Sequence, residues 1–595
     1  MNLDYNICET LERYSKVYPE KVALHNGNEN ITYSELHLRI MQLSQLLQAT
    51  GIKKGDIIAV YIPNSIEMLV SIYAILYARA IVLPIDFESP LERVSMIFSN
   101  SHPALVLCKK ENQNEIERFH VKSMAVDSVS FNTNTNEDAI DNSSHNILED
   151  DAFCIYTSGT TAIPKGVLLN YKGILNHASA KVDLLNLTQN SKLCLSFNIG
   201  FVASIWQILV PILIGAELFI YEKNLIKKPY LFFKQVEADN IIAVSVTPHT
   251  LQGYLEYIKV KKQKLSLSNI THIILTGEKV SSSLVKEFYE NYDSITLINA
   301  YGQTECSDDT YHYVIPHSFN RVHMPIGIPI NNMTGFVLGD DYIENNVGEL
   351  FIGGVGVANG YISNQELTDQ KFVKLPLFNA PLFRTGDWVQ RMEDGNLIYL
   401  GRVDNQVKIR GYRVELEEIE AHLNQFNGIK RSVVRALETS KTNKVLEAFY
   451  SSDNAINAKD ITDYLSTKLP EYMIPVVFRR VKDFIETTNG KIDRKRLSDC
   501  LVLENSLTNN SATILSGKQK KVFEIIVSTI ESIIGDITLE TELASAGVDS
   551  ITFIKIVVAL EGEFDFEFDD EMLLITAFPT IKSMIDYVES KVHGA

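Results

Sequence analysis

Short apolar runs rich in β-branched residues alternate with helical patterns along most of this chain. Ile57-Ile58-Ala59-Val60-Tyr61-Ile62 and Ala104-Leu105-Val106-Leu107-Cys108 read as buried strands, and Ser65 to Arg79 between them reads as a helix. That alternation predicts parallel sheets covered by helices over residues 1–403. Met68 to Ile85 is the most apolar segment. Arg79 inside it and Pro84 near its end make it a buried helix and strand rather than a membrane span. Phe131 to Asp151 is rich in Asn, Ser and Asp and reads as a surface loop. The pattern changes at Arg402-Val403-Asp404, where a hairpin-like segment opens a smaller α+β unit over 404–500. Residues 501–515 are largely polar and read as a linker. Helical periodicity returns from Lys518 to Ile534 and again after Ser550, predicting a small helix bundle over 516–595.

Composition narrows this picture. A chain of 595 residues, 45% hydrophobic, can bury several cores, and three folding units are expected. The net charge of −19 argues against nucleic acid as a partner. Residues 516–595 hold 15 acidic against 6 basic side chains, densest in Glu561 to Glu571. That run is either a solvated face or a docking surface for basic partners. The six cysteines are scattered singly, with neither metal-ligand spacing nor a disulfide pattern. Met1 to Glu12 has no basic n-region and no apolar core, so a cytoplasmic location is expected, without a membrane partner.

Candidate chemistry comes from ordered motifs. Tyr156-Thr157-Ser158-Gly159-Thr160-Thr161-Ala162-Ile163-Pro164-Lys165-Gly166 follows an apolar run, and its small residues let donors crowd around phosphate oxygens. It does not fit a Walker A loop. Asn299-Ala300-Tyr301-Gly302-Gln303-Thr304-Glu305 follows, then Gly348-Glu349-Leu350 and Phe383-Arg384-Thr385-Gly386-Asp387. Gly401 to Glu415 and Asn489-Gly490-Lys491-Ile492-Asp493-Arg494 complete the series. With these motifs in this order, residues 10–497 resemble the adenylate-forming superfamily, and within it the adenylation domains of nonribosomal peptide synthetases. Near the C-terminus, Gly547-Val548-Asp549-Ser550-Ile551 opens an apolar helix and resembles the phosphopantetheine site of a peptidyl or acyl carrier.

The resemblance implies a multidomain protein: a large α/β adenylation core, a small α+β C-terminal subdomain and an all-α four-helix carrier domain. It implies that Ser158, Gly159, Thr160, Thr161 and Lys165 form a phosphate loop. It implies that Tyr301 stacks on adenine, Thr304 contacts the α-phosphate and Glu305 binds Mg²⁺. Asp387 would hold the ribose hydroxyls with Arg402 nearby, Asp404 would be the hinge, and Lys491 would bridge carboxylate and adenylate oxygens. Lys408 to Arg413 should face the site after the small subdomain turns. The chemistry is consistent: a carboxylate attacking ATP needs cations to offset repulsion between anions. Ala162 stands where the family usually has Gly, and Gln303 where it usually has Pro.

For the acid, the resemblance implies a pocket of Val202, Ala203, Trp206, Val246, Ile274, Thr276, Ala300, Asp308 and Asp309. Val202 takes the position of the aspartate that anchors an α-ammonium. A valine cannot pair with a cation, so an ordinary α-amino acid is disfavoured. Asp308 and Asp309 invite a distal cation, as in a β-amino, ω-amino or ω-guanidino acid. Strand alternation turns one of the two inward. The alternative is a neutral keto, hydroxy, aliphatic or aryl acid.

The expected cofactors are ATP, Mg²⁺ and 4′-phosphopantetheine on Ser550, installed by a phosphopantetheinyl transferase. The chain reads as a free-standing loading unit. It would serve a downstream condensation, ketosynthase or tailoring enzyme, with a small activator protein as a further partner. The rival reading is an acyl-CoA ligase.

Overall fold

The computed structural model describes residues 7–131, 147–159, 163–438 except 340, 377 and 379, then 444–486 and 492–505. In the carrier region it describes 517–530, residues 537, 539, 541, 543 and 548, and 550–592 except 565, 570, 571 and 574.

Two sheets form the large unit. In one, Ile57–Tyr61 pairs in parallel with Ile81–Pro84 and Leu105–Cys108. The helix Ile66–Tyr77 connects the first two of these and is buried along its whole length. Ser65 caps it, its hydroxyl accepting from the Met68 amide, which satisfies a donor the helix leaves open. In the other sheet Lys192–Leu195, Ala243–Val246, His272–Leu275 and Thr296–Gln303 run parallel side by side. Ligands gather beyond the carboxyl ends of such strands. Here those ends carry Val246, Thr276 and the Tyr301 to Glu305 run.

The hairpin Asp151–Thr157 and Lys165–Asn170 carries the expected phosphate loop at its tip, with Thr157 opposite Lys165. Thr160, Thr161 and Ala162 lie outside the described residues.

The small unit begins with a two-stranded hairpin, Val407–Ile409 and Tyr412–Val414. It continues with helices packed on a four-stranded sheet. One strand of that sheet corrects the expected linker. Val502–Asn505 pairs antiparallel with Val477–Val481 and closes the sheet edge. Residues 506–515 of the expected linker lie outside the described residues.

The carrier contributes α-helices Gly517–Ile530, Ser550–Phe564 and Ile581–Val592 and a 3-10 turn at Ile575–Ala577. Its Ser550–Phe564 helix lies against the core helix Pro248–Lys261, where Lys261 pairs with Glu561. Glu563 reaches Lys521 and Asp569 reaches Lys591, so part of the acidic run is answered within the chain.

Candidate functional site

Asp387 and Arg402 face each other across antiparallel strands Leu382–Arg391 and Leu397–Arg402. Register therefore places the guanidinium on the carboxylate, with Nη1 2.8 Å from Oδ1. On the other oxygen, Tyr301 Oη donates at 2.5 Å and Gln303 Nε2 at 2.8 Å. Gln303 also donates to Tyr301 Oη at 2.6 Å, and its own Oε1 is buried without a hydrogen-bond partner. An acceptor-only carboxylate dictates this amide orientation. The same Arg402 grips Asp404 through Nε at 2.6 Å and Nη2 at 2.7 Å, which lowers the Asp404 pKa against burial.

Glu349 and Arg384 set the strand that bears Asp387. They form a bidentate pair at 2.9–3.0 Å, and Gly386 donates its amide to Glu349 at 3.1 Å. Those motif residues are struts for Asp387.

The small unit inserts its hairpin into this site. Gly277 and Gly411 both have positive φ, +87° and +85°. A Cβ on Gly277 would come 3.2 Å from the Gly411 Cα, so the two backbones meet closely where glycines permit it. Arg413 places Nη1 2.9 and 2.8 Å from the two oxygens of Glu305, which also accepts from Tyr361 Oη at 2.6 Å. Burial raises the Glu305 pKa, but Arg413 and Lys165 outweigh it and take it down to about 2. With both oxygens engaged and the carboxylate fully buried, Glu305 does not fit a Mg²⁺ ligand in this arrangement, contrary to the role implied by sequence.

The phosphate loop is tied down in the same way. Lys165 Nζ lies 3.1 Å from Glu415 Oε1, Ser158 Oγ donates to the Arg413 carbonyl at 2.8 Å, and the Gly159 amide donates to Glu418 at 3.0 Å. Burial lowers the Lys165 pKa, aided by Arg413 and opposed by Glu415. Arg93 anchors Glu418 from the core at 2.7 Å. Donors suited to phosphate oxygens thus hold carboxylates of the small unit. Thr304 is buried in a short 3-10 turn beside Glu305. Lys491 lies outside the described residues, as does the Ser550 side chain, although Ser550 opens its helix.

The acid pocket departs from expectation. Val202 is 4% exposed, and Ala203 and Trp206 begin the buried helix Ser204–Ile214. Ile274, Thr276, Ala300 and Val246 are buried around the strand ends. Both aspartates turn inward, 4% and 2% exposed, against the expected alternation. Asp308 has φ +99°, which breaks the pleat, beside a register shift between Tyr301 and Gly302. Asp309 is not free. Lys181 Nζ sits 2.6 Å from its Oδ2, and Thr276 Oγ1 donates to Oδ1 at 3.0 Å. Burial opposes ionisation of Asp309, but Lys181 wins and holds its pKa well below the usual range. Burial and the Asp309 charge push Asp308 well above it. Lys181, His177 and Gln303 were missed from sequence. The available signal was a polar i, i+4 pair, His177 and Lys181, on the inward face of the helix Tyr171–Leu185.

A cavity of about 370 Å³ joins the three units. Phe197 and His249 of the core, Tyr412 of the small unit, and Phe553 and Ile554 of the carrier are among its walls. It reaches Gly411, at the inserted hairpin. Phe553 and Ile554 lie within about one turn of Ser550.

Residues 11–362 match the AMP-binding enzyme family and residues 521–588 the phosphopantetheine attachment site. Gramicidin S synthase 1 of Brevibacillus brevis is 31% identical over 98% of this chain and 52% of its own length. Zwittermicin A synthase ZmaJ of Bacillus cereus is 31% identical over 84% of this chain and 95% of its own. The chain spans about half the length of gramicidin S synthase 1 and of tyrocidine synthase 1. Among solved structures, a holo NRPS protein containing adenylation and PCP domains matches with a TM-score of 0.78 at 18% identity, covering 98% of this chain and 96% of that one. O-succinylbenzoate CoA synthetase from Bacillus subtilis matches at 0.74 and 19% identity, covering 83% and 98%. Both likenesses concern the fold. No described helix is long and apolar enough to cross a membrane. The cofactors of such a chain are ATP, Mg²⁺ and 4′-phosphopantetheine. The chain belongs to the AMP-binding enzyme family, as an ATP-dependent acid-adenylating ligase joined to a phosphopantetheine carrier domain.

Proposed function

We propose that this chain activates a carboxylic acid lacking an α-ammonium and loads it onto its own carrier at Ser550. The buried Val202, in the position where a carboxylate would hold an ammonium, supports the choice of acid. In the first half-reaction the acid's carboxylate oxygen attacks the α-phosphorus of ATP and pyrophosphate leaves. Tyr301, Asp387 and Arg402 seat the nucleoside, while Lys165, Thr304 and the phosphate loop offset charge on the phosphates. Lys491 completes that site from the small unit. With Glu305 engaged by Arg413, we assign no step to a metal.

The second half-reaction follows a turn of the small unit about Asp404. The arm on Ser550 supplies a thiol, and AMP leaves as the acyl carbon passes to sulfur. One observation carries this reading: the Arg413 carbonyl, Glu415 and Glu418 hold Ser158, Lys165 and the Gly159 amide, the donors that would otherwise face pyrophosphate. The cavity from the carrier helix to Gly411 is the arm's route. A phosphopantetheinyl transferase installs the arm, and a downstream condensation, ketosynthase or tailoring enzyme receives the acyl group.

Acid-dependent ATP–pyrophosphate exchange, run beside intact-mass measurement of the pantetheinylated protein, tests this. Wild type should gain the acyl mass. Ser550→Ala should lose that gain and keep exchange. Acyl-CoA release with equal efficiency in both proteins would favour a CoA ligase. Strong exchange with a standard α-amino acid would sink the Val202 argument.

A further inference from the structure

On the activation reading, the far end of the expected acid pocket is a buried polar cluster whose only full cation, among the described residues, is supplied by the protein. Lys181 is fully buried, 2.6 Å from Asp309 Oδ2 and 3.2 Å from His312 Nε2, with its Nζ 5.6 Å from the Trp206 ring centroid. His177, Asp309 and His312 bring their ligand atoms within 4.8 Å of one another, a spacing open to a metal ion. The ammonium already occupies the place on Asp309 that such an ion would take. Burial, with Lys181 close by, keeps His312 neutral, its pKa lowered to about 4. Lys181 thus answers the Asp309 carboxylate directly, and burial together with that carboxylate pushes the Asp308 carboxyl well above the usual range.

Among the described residues, three buried polar atoms there make no close hydrogen bond: Asp308 Oδ2, Trp206 Nε1 and His177 Nε2, the last 3.7 Å from Asp309 Oδ2. Asp308 Oδ2 and His177 Nε2 stand 3.6 Å apart, too far to satisfy each other well. Buried groups of this kind cost free energy until something pairs with them. A distal cation on the substrate would meet Lys181 and find Asp309 already neutralised. A neutral hydroxyl or carbonyl has the polarity these atoms lack and brings no charge.

We infer that Lys181 is a specificity-determining residue that closes the pocket to distally cationic acids and selects acids ending in a neutral hydroxyl or carbonyl group. This rests on the activation reading above, and it chooses between the two classes of acid that the sequence leaves open.

The test is pyrophosphate exchange with ω-hydroxy, ω-keto and ω-amino acids of matched chain length, using wild type, Lys181→Leu and the double variant Lys181→Leu/Asp309→Leu. Wild type should prefer the neutral acids by at least about tenfold in kcat/KM, the discrimination a mispaired buried polar group gives. Lys181→Leu frees the Asp309 carboxylate and should shift the ratio toward the amino acid by about tenfold or more. The double variant removes both charges and should restore the neutral preference. A wild-type preference for the ω-amino acid overturns the inference, even if Lys181→Leu fails to fold. An unchanged ratio in a folded Lys181→Leu also overturns it. Exchange with no acid at all defeats the activation reading and this inference with it, an outcome distinct from exchange with the wrong class.

Discussion

Two sets of buried ion pairs differ in what they join. Lys165–Glu415, Arg413–Glu305 and Arg93–Glu418 each link the large unit to the small one. Lys181–Asp309 joins two elements of the large unit alone. A pair that spans a domain boundary can be exchanged for another partner when the boundary moves, so its cation can hold a phosphate at one stage and a carboxylate at the next. A pair within one rigid unit has no such exchange open to it and acts as fixed shape and fixed charge. On the proposed reading, turnover depends on the first kind and choice of substrate on the second.

The largest effect comes from breaking a boundary pair. Arg413→Ala leaves Glu305 buried with the Tyr361 hydroxyl and the nearby Lys165 charge, and losing one partner of a buried pair costs about 3–5 kcal/mol. Because the pair belongs to the docked arrangement, self-loading measured by intact mass should fall at least about tenfold, while pyrophosphate exchange stays within about threefold. Equal loss of both rates would place Arg413 in the first half-reaction and dissolve the distinction.

Acid should separate the two regions by pH. His312 has its folded pKa depressed from the ordinary histidine range to about 4. The unfolded chain therefore takes up that proton first, and the contribution is lost as pH falls from about 6.5 toward 4. Glu305, depressed to about 2, contributes stability that is lost only as pH falls below the ordinary carboxylate range toward 2. The thermal midpoint should drop first in the higher window, and His312→Phe should flatten that part of the profile. A drop confined to pH below about 4.5, unchanged by His312→Phe, would contradict a neutral His312 in the folded protein.

The smallest effect concerns the nucleotide seat. Gln303→Ala removes two donors, one to Asp387 and one to Tyr301. At about 0.5–1.5 kcal/mol for an ordinary hydrogen bond, the KM for ATP should rise a few-fold with kcat little changed. A fall in kcat at constant KM would instead give Gln303 a part in the chemistry.

The grouping of Tyr301, Asp387 and Arg402 was legible in sequence because these residues lie in contiguous runs with fixed spacing. Tyr301 to Glu305 is one strand end, and Asp387 and Arg402 are brought together by simple antiparallel register. The floor was less legible. Asp308 turns inward only because its φ leaves the strand region, which alternation does not anticipate. Lys181 is more than a hundred residues from Asp309, and a lone lysine on a helix is ordinarily a solvated one. Val502–Asn505 reads as linker because an edge strand contributes backbone hydrogen bonds and needs little apolar pattern. Glu305 was assigned from its motif to a metal, and its partner in this arrangement, Arg413, lies in a separate folding unit.

Arg402 has one planar guanidinium, and the molecule uses it at both ends of a lever. Its Nη1 meets Asp387, the proposed ribose ligand, while Nε and Nη2 clasp Asp404, the proposed pivot of the small unit. A rigid plane cannot re-aim one edge and leave the other still. On the proposed reading, whatever fills or vacates the nucleoside seat tugs on the pivot, and the swing of the small unit is geared to the occupancy of the large one.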